Sequence, residues 1–354
     1  MNFKIRIANN SDKQSLIKFI KNKWNSDHVF VKNPDFFDYM HLSKNNKNEY
    51  NFVIAEDKDS KAILAIHGFI TPAHYDSNLT NKDVFLAIWK ALDVGIPGLG
   101  IRTLEYIHDH LNARLIEAIS FDEEVTELYQ MLGFTTGYLS HYVLFNPKIK
   151  EFQIARNVEP GMLLNQKKPE NYYSLKVGKI DLLNEHSEES ISKLLLSYLP
   201  IKSKSYLINK YAKHPHYDYE YAIATEGKDI KFIAVLRKLE VKKAKIIRIV
   251  DFLGDESFFP KVTLEFQNLL QECEAEYLDF YFHGLNKSYF EKSGFVNRKS
   301  YPDLIIPNYF EPFVSKNIDL NFAVRFPNEI NFNQIRLFKG HGDQDRPSII
   351  DKKL

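Results

Sequence analysis

The chain has 354 residues, 44% apolar and 26% charged, which is enough for two or three domains with packed cores and excludes a wholly disordered protein. Forty-seven basic and 46 acidic side chains leave a formal charge of +1, so no general pull toward nucleic acid or an anionic membrane is expected. One cysteine, Cys273, excludes an internal disulfide and a thiolate metal cluster.

Phe3–Ala8 alternates apolar and basic residues, as a half-buried strand does. Its start has no apolar signal run. The longest apolar stretch, near Ala62–Ile70, is too short to span a membrane, so a cytoplasmic protein is expected. Leu16, Ile17, Phe19, Ile20 and Trp24 recur at helical spacing behind the cap candidates Asn10 and Ser11. Pro34–Leu42 reads as a short helix. Tyr50–Glu56 and Ala62–Thr71 read as strands about a polar turn. Val84–Val94 reads as a strand, followed by glycines and by a helix with Ile101, Leu104, Ile107 and Leu111 on one face. Leu115–Ser120 is a strand and Glu123–Leu132 a helix stopped by Gly133. Phe134 opens a strand that runs to Phe145.

The second half repeats this order. A strand at Tyr173–Ile180 and a helix at Glu188–Leu199 precede a hairpin of Tyr219–Thr225 and Lys231–Leu239. Lys245–Leu253 is a strand, Thr263–Glu272 a helix, Tyr277–Phe282 a strand and Ser288–Lys292 a short helix. Tyr129-Gln-Met-Leu-Gly133-Phe134 and Phe290-Glu-Lys-Ser-Gly294-Phe295 carry the same punctuation, which reads as an internal duplication. The expected division is a domain at 1–147, a linker at 148–171 and a second domain at 172–354, whose tail beyond Asn317 reads as irregular.

The strongest chemical signal is Leu92-Asp93-Val94-Gly95-Ile96-Pro97-Gly98-Leu99-Gly100-Ile101-Arg102. A strand ends, three glycines follow within six residues, and a helix begins. Glycine lets the backbone approach a ligand, and the first amides of a helix point outward unpaired into a region of partial positive charge. Together they suit a pyrophosphate. No Gly-Lys-Ser/Thr follows, so this is not a Walker loop, and the spacing is not a dinucleotide fingerprint.

The strand and helix order, the Gly-x-x-Gly-x-Gly loop after the fourth strand and Tyr-x-x-x-Gly-Phe after the fifth resemble the GNAT (Gcn5-related) N-acetyltransferase superfamily. The resemblance implies an α/β fold of two tandem GNAT-like domains, each a mixed, mostly antiparallel sheet flanked by helices. It implies acetyl-CoA or another acyl-CoA as co-substrate, its pyrophosphate held by the loop. Gly98 and Gly100 match the family's small positions, while Gly95 stands where Gln or Arg is usual; Arg102 could restore the charge. In the second half, Gly254-Asp255-Glu256 puts carboxylates where phosphates would lie, so CoA is expected in the first domain alone. Trp24-x-x-x-His28, Arg248-Ile-Val-Asp251, Ile306–Pro312 and Gly342-Asp-Gln-Asp-Arg-Pro347 further resemble two-domain GNAT proteins of bacterial surface-polysaccharide clusters, which implies an amino-sugar acceptor, nucleotide-linked.

Acyl transfer to an amine needs a neutral amine, a donor for the oxyanion and a proton or hydrogen bond for the departing thiolate. By the resemblance, a backbone N–H around Leu92–Val94 serves the oxyanion and Tyr129 is the general acid; the alternative for Tyr129 is plain packing. His28 is the foremost base candidate because imidazole titrates near neutrality, with Glu56 acting through water as a rival. His41 and His67 are candidate acceptor-binding residues, His67 being otherwise a satisfied core histidine. Arg248, Asp251, Asp345 and Arg346 are assigned to the acceptor or to a salt network. At a spacing of three on a strand, Arg248 and Asp251 are expected on opposite faces. His108-Asp109-His110 faces different ways on a helix, so no metal is expected. The reading is an acyl-CoA-dependent N-acyltransferase. An aminoacyl transferase of the FemABX kind and a non-catalytic CoA-binding protein of a polysaccharide pathway are the alternatives.

Overall fold

In chain order, the computed structural model places strand β1 at Phe3–Asn9, then helices α1 (Lys13–Lys23), α2 (Val29–Lys32) and α3 (Pro34–His41). Strands β2 (Glu49–Asp57), β3 (Ile63–Ile70) and β4 (Asp83–Ala91) follow, then helix α4 (Leu99–Leu111), β5 (Leu115–Ile119), helix α5 (Thr126–Met131), β6 (Thr135–Tyr138) and β7 (Ser140–Phe145). Next come β8 (Tyr173–Gly178), the short helices α6 (Ile180–Asn184), α7 (Glu188–Ser192) and α8 (Lys204–Leu207), and β9 (Tyr219–Glu226), β10 (Asp229–Val241) and β11 (Ala244–Gly254). The chain continues through α9 (Thr263–Glu272), β12 (Ala275–His283), α10 (Lys287–Lys292), β13 (Val296–Asn297), β14 (Asn321–Arg325) and β15 (Leu337–Phe338). The structure describes residues 2–80, 82–163, 173–195 and 198–348. Among them no helix is long and apolar enough to cross a membrane.

Local chemistry explains the elements that position the site. A capping box of Asn9 and Asp12 opens the turn that leads into α1, which buries Leu16, Phe19 and Ile20. Helix α4 buries Leu99, Thr103, Leu104 and Ile107 along one stripe and stops at Asn112 in the left-handed conformation.

The described residues form two compact units. The first holds residues 2–136, 322–330 and 341–348; the second holds those of 137–321 and 331–340. The first sheet runs β1-β2-β3-β4-β5-β14-β6 and the second runs β8-β9-β10-β11-β12-β7-β13, with β15 also on β12. The two orders correspond strand for strand. Each sheet contains a parallel pair, β4 with β5 and β11 with β12, among mostly antiparallel neighbours such as β1–β2, β2–β3, β3–β4, β9–β10 and β10–β11.

The expected divisions at 147 and 172 differ from this partition, for a topological reason. Phe134–Phe145 is two strands, not one, and β7 pairs with β12 in the second sheet. The tail read as irregular contains β14, which pairs with β5 in the first sheet. Strand partners this far apart along the chain leave no local trace. The helix expected over Glu188–Leu199 ends at Ser192 and passes into a 3-10 turn. The last part of the expected linker, residues 164–171, lies outside the described residues.

Candidate active site

The site is built where β4 and β5 part. Their parallel ladder runs through Asp83↔Leu115, Val84↔Ile116 and Phe85↔Glu117, after which β4 continues to Ala91. At the same level the β3–β4 register slips: His67 faces Trp89 and Phe69 faces Leu86, which leaves one extra residue in β4 at Ala87–Ile88. Such a bulge re-aims backbone N–H groups. Val84, Leu86, Ile116 and Ala118 join Leu104, Ile107 and Tyr129 in one core, so they face α4 and α5. Phe85 and Glu117, of the opposite parity, face the other side, where Phe52 packs on Phe37 and His41 of α3.

Beyond Ala91 the loop is pinned by its apolar side chains: Val94 and Ile96 pack with Leu99 on Ala55, Leu64 and Ala65. Its glycines stay open. Gly95 and Gly98 have φ of +71° and +68°, and a Cβ on either would meet nothing within 4 Å. Gly98 is the N-cap of α4, with no side-chain cap and no acidic residue in the first turn. The leading amides of a 13-residue helix therefore face an uncluttered surface. Gly100 is a glycine for packing: a Cβ would stand 3.1 Å from Trp89 Nε1. These observations fit a pyrophosphate ligand. Two details of the expectation shift. The Leu92 N–H already donates to Leu64 O at 2.9 Å, so of the amides at Leu92–Val94 that one is taken. Arg102 extends over Phe3, 5.7 Å from its ring centre, instead of toward the loop.

Tyr129 sits on the α5 face with its ring against Trp89, Phe121 and Phe134. Burial raises its pKa above the usual phenol value, and its hydroxyl has no hydrogen-bond partner among the described residues.

His28 and Arg346 do meet. Arg346 Nη2 lies 3.2 Å from His28 Nε2, Arg346 Nε donates to Asp343 at 2.9 Å, and its guanidinium lies over Phe30. Asp345, beside them in sequence, is half-buried. Burial first, and the Arg346 charge second, push His28 down to about 3, so it is neutral and a feeble base.

Other expected site residues are occupied elsewhere. Glu56 binds Arg6, which also binds Asp12 at 2.6 Å, with Lys4 3.4 Å away. Burial would lift the Glu56 carboxyl, but Arg6 and Lys4 outweigh it and hold it below the usual range. It is a locked ion pair, not a base. His41 is fully buried among Phe30, Phe37 and Phe52. His67 is fully buried and stacked on Trp89 at 4.9 Å, with Thr103 Oγ1 3.4 Å from Nδ1; burial lowers it to about 3. Both are core histidines.

In the second unit, Arg248 donates to both Asp279 oxygens at 2.8 and 2.6 Å and to the carbonyls of Asn308 and Pro307. Asp251 accepts from Lys202, from Tyr211 at 2.8 Å and from the Phe252 N–H. Both carboxylate partners are fully buried, so these networks hold the fold and leave neither Arg248 nor Asp251 turned to a ligand. The β10–β11 register slips at Val250, since Val235 faces Asp251 and Leu236 faces Ile249. That bulge puts Asp251 on the face of Arg248, which a count of three could not foresee. The loop matching 92–102 is closed here. A Cβ at Gly254 would lie 2.3 Å from Lys231 O, and Arg336 binds Gly254 O and Glu256.

Two residues that sequence reasoning passed over stand at the fork of the first unit. Glu117 is a lone carboxylate inside Leu-Ile-Glu-Ala-Ile, a signal in itself, and is 1% exposed. His341 is equally buried, its Nδ1 2.8 Å from Glu117 Oε1 and its ring 5.2 Å from that of Phe85. Nothing local in the tail marks His341, because its partners lie more than 200 residues earlier.

No family model matches the sequence, and no curated protein matches it. The fold, with two mixed, mostly antiparallel sheets flanked by helices, is that of the GCN5-related N-acetyltransferases. A GCN5-related N-acetyltransferase of Anabaena variabilis is similar at TM-score 0.51 and 8% identity, over 92% of this chain and 73% of that one. A conserved protein of unknown function, probable N-acyltransferase, from Enterococcus faecalis is similar at TM-score 0.53 and 8% identity, with the same coverage.

Proposed function

We propose that the chain is an acyl-CoA-dependent N-acyltransferase, with acetyl-CoA as donor and its first unit as the catalytic one. The observation that carries this is the open glycine loop capping α4, directly beyond the point where β4 and β5 part, on a GNAT fold. A pyrophosphate on the α4 amides would let the pantetheine arm run into the gap between the strands. The thioester carbonyl would then lie by the β4 bulge, whose re-aimed N–H is the oxyanion donor. Tyr129 approaches from the α5 face. A thiol titrates near 8.5, so a phenol held above 10 does not surrender its proton outright; it donates a hydrogen bond to the leaving sulfur. The neutral amine nitrogen attacks, the C–N bond forms, the C–S bond breaks with its electron pair on sulfur, and the nitrogen's surplus proton goes to the departing thiolate. The resemblance to surface-polysaccharide proteins supports an amino sugar, nucleotide-linked, as acceptor. Trp24, 45% exposed near His28, offers a surface on which a sugar or base could stack.

The test has two parts. Calorimetry with acetyl-CoA is expected to show one site per chain, and thiol release is expected over a panel of nucleotide-linked amino sugars. Acetyl-CoA binding without turnover on any amine would favour a CoA-binding, non-catalytic role. No binding would remove the reading.

A further inference from the structure

Resting on that reading, we infer that His341, delivered by the C-terminal segment to the fork between β4 and β5 and paired with Glu117, is the base that takes the proton from the acceptor amine.

The placement is specific. Phe85 and Glu117 form the last rung of the β4–β5 ladder, and the His341 ring touches both side chains. They lie on the sheet face opposite Tyr129, as alternation along the strands requires. A carbonyl in the gap would thus have the leaving sulfur served from one face and the attacking nitrogen from the other. The tail is fitted closely to that place. Gly342 has φ of +56°, and a Cβ there would stand 3.1 Å from Phe85 Cβ, so glycine permits the approach at that point.

The chemistry of the pair suits the task. A carboxylate in the middle of a sheet is costly to desolvate, and an apolar residue would fill the position at less expense. Beside an imidazole it has a use. With the ring neutral, Nδ1 faces Glu117. When the ring gains a proton, the pair becomes a salt bridge at 2.8 Å, so Glu117 stabilises the imidazolium as it forms. The acceptor ammonium passes a proton to the ring. Its nitrogen then bonds to the thioester carbon, sulfur leaves with the C–S electron pair and takes up the nitrogen's surplus proton, and the ring gives up its own proton once the products have left. Among the other candidates, burial and the Arg346 cation disfavour the protonated form of His28, and Glu56 is bound by Arg6. Glu117 is a positioning residue, acting through His341.

Bromoacetyl-CoA is the probe, because its electrophilic carbon sits where an acceptor nitrogen would attack. A ring nitrogen displaces bromide, forming a C–N bond and leaving CoA attached. Peptide mass spectrometry of the full chain is expected to find the adduct on His341, suppressed by excess acetyl-CoA. The adduct is expected to be lost in His341→Gln and to form about tenfold more slowly in Glu117→Gln. Melting curves and acetyl-CoA calorimetry run alongside. Acetyl-CoA binding intact with the suppressible adduct on another residue, or with none, overturns the assignment and leaves the acyltransferase reading standing. If His341→Gln does not fold, labelling of the wild-type chain decides the matter alone. Failure of wild type to bind acetyl-CoA overturns both.

Discussion

Arg346 holds Nη2 3.2 Å from His28 Nε2, while the Phe30 N–H meets the other ring nitrogen at 3.2 Å. Both contacts offer a donor, yet a neutral imidazole has one acceptor nitrogen. The charged form of the ring is disfavoured by burial and by Arg346, which outweigh the nearby Asp343 carboxylate. Replacing Arg346 by Met is expected to raise the His28 pKa, though not to the ordinary 6.5, since burial remains the larger cause. Histidine NMR titration of the two proteins checks this. An unchanged His28 would mean that the guanidinium does not dwell beside the ring in solution.

The pyrophosphate loop predicts a second outcome. Gly98→Glu forces a β-carbon into φ of +68° and sets a carboxylate at the helix N-terminus. Acetyl-CoA affinity is expected to fall by at least about 100-fold, the sum of backbone strain and charge repulsion. Folding should survive, because a side chain at Gly98 meets nothing. Calorimetry beside a melting curve separates the two. Binding retained at wild-type strength would place the phosphates elsewhere.

What could be read in the sequence follows the range of each interaction. The loop at 92–102 and helix α9 were legible because glycine, capping and apolar period are local signals, and α9 lies at Thr263–Glu272 as read. Trp24-x-x-x-His28 and Gly342–Pro347 each stand out in the sequence, but nothing there says that they share one unit. The pairing of β14 with β5 and the meeting of His341 with Glu117 depend on partners far along the chain, while the bulge at Val250 lies inside the β10–β11 hairpin and shows only in its register. Helix α2 was missed because Val29–Lys32 is too short to show a period.

Tyr129→Phe keeps the ring packed on Trp89, Phe121 and Phe134 and removes just the hydroxyl. If the phenol donates to the leaving sulfur, turnover is expected to fall about 10- to 100-fold with acetyl-CoA affinity unchanged. The check is kcat against the calorimetric Kd on the same preparation. Equal turnover would return Tyr129 to a packing role.

The buried histidines make the fold acid-sensitive. His67 is held near 3 in the native state against 6.5 unfolded, so between those values the unfolded chain binds more protons and stability falls as pH drops. At pH 4.5 the loss from this one ring is about 2–3 kcal/mol relative to pH 7. His67→Leu removes that contribution. The variant is expected to be less stable at pH 7, for want of the stacking on Trp89, but to lose less between pH 7 and 4.5. Denaturant melts at the two values give the difference; parallel losses would mean that His67 is protonated in the native state.

The Arg248–Asp279 pair adds a prediction about which partner matters more. Asp279 also meets His141 Nε2 at 3.1 Å, and the Arg248 charge is one cause of the low His141 pKa. Asp279→Asn leaves the Arg248 cation buried with carbonyls alone and is expected to cost about 3–5 kcal/mol. Arg248→Met leaves Asp279 with a histidine that can take a proton. In that variant the His141 pKa is expected to rise, though burial, the largest cause of its depression, remains, so the variant loses less stability than the wild type as pH falls toward the folded pKa. The penalty of Arg248→Met should therefore be smaller at pH 6 than at pH 8, while that of Asp279→Asn, with no carboxylate to attract the proton, should not shrink toward acid. Unfolding free energies of the two variants at both pH values test the contrast, and equal pH slopes would show that His141 does not take over from the lost guanidinium.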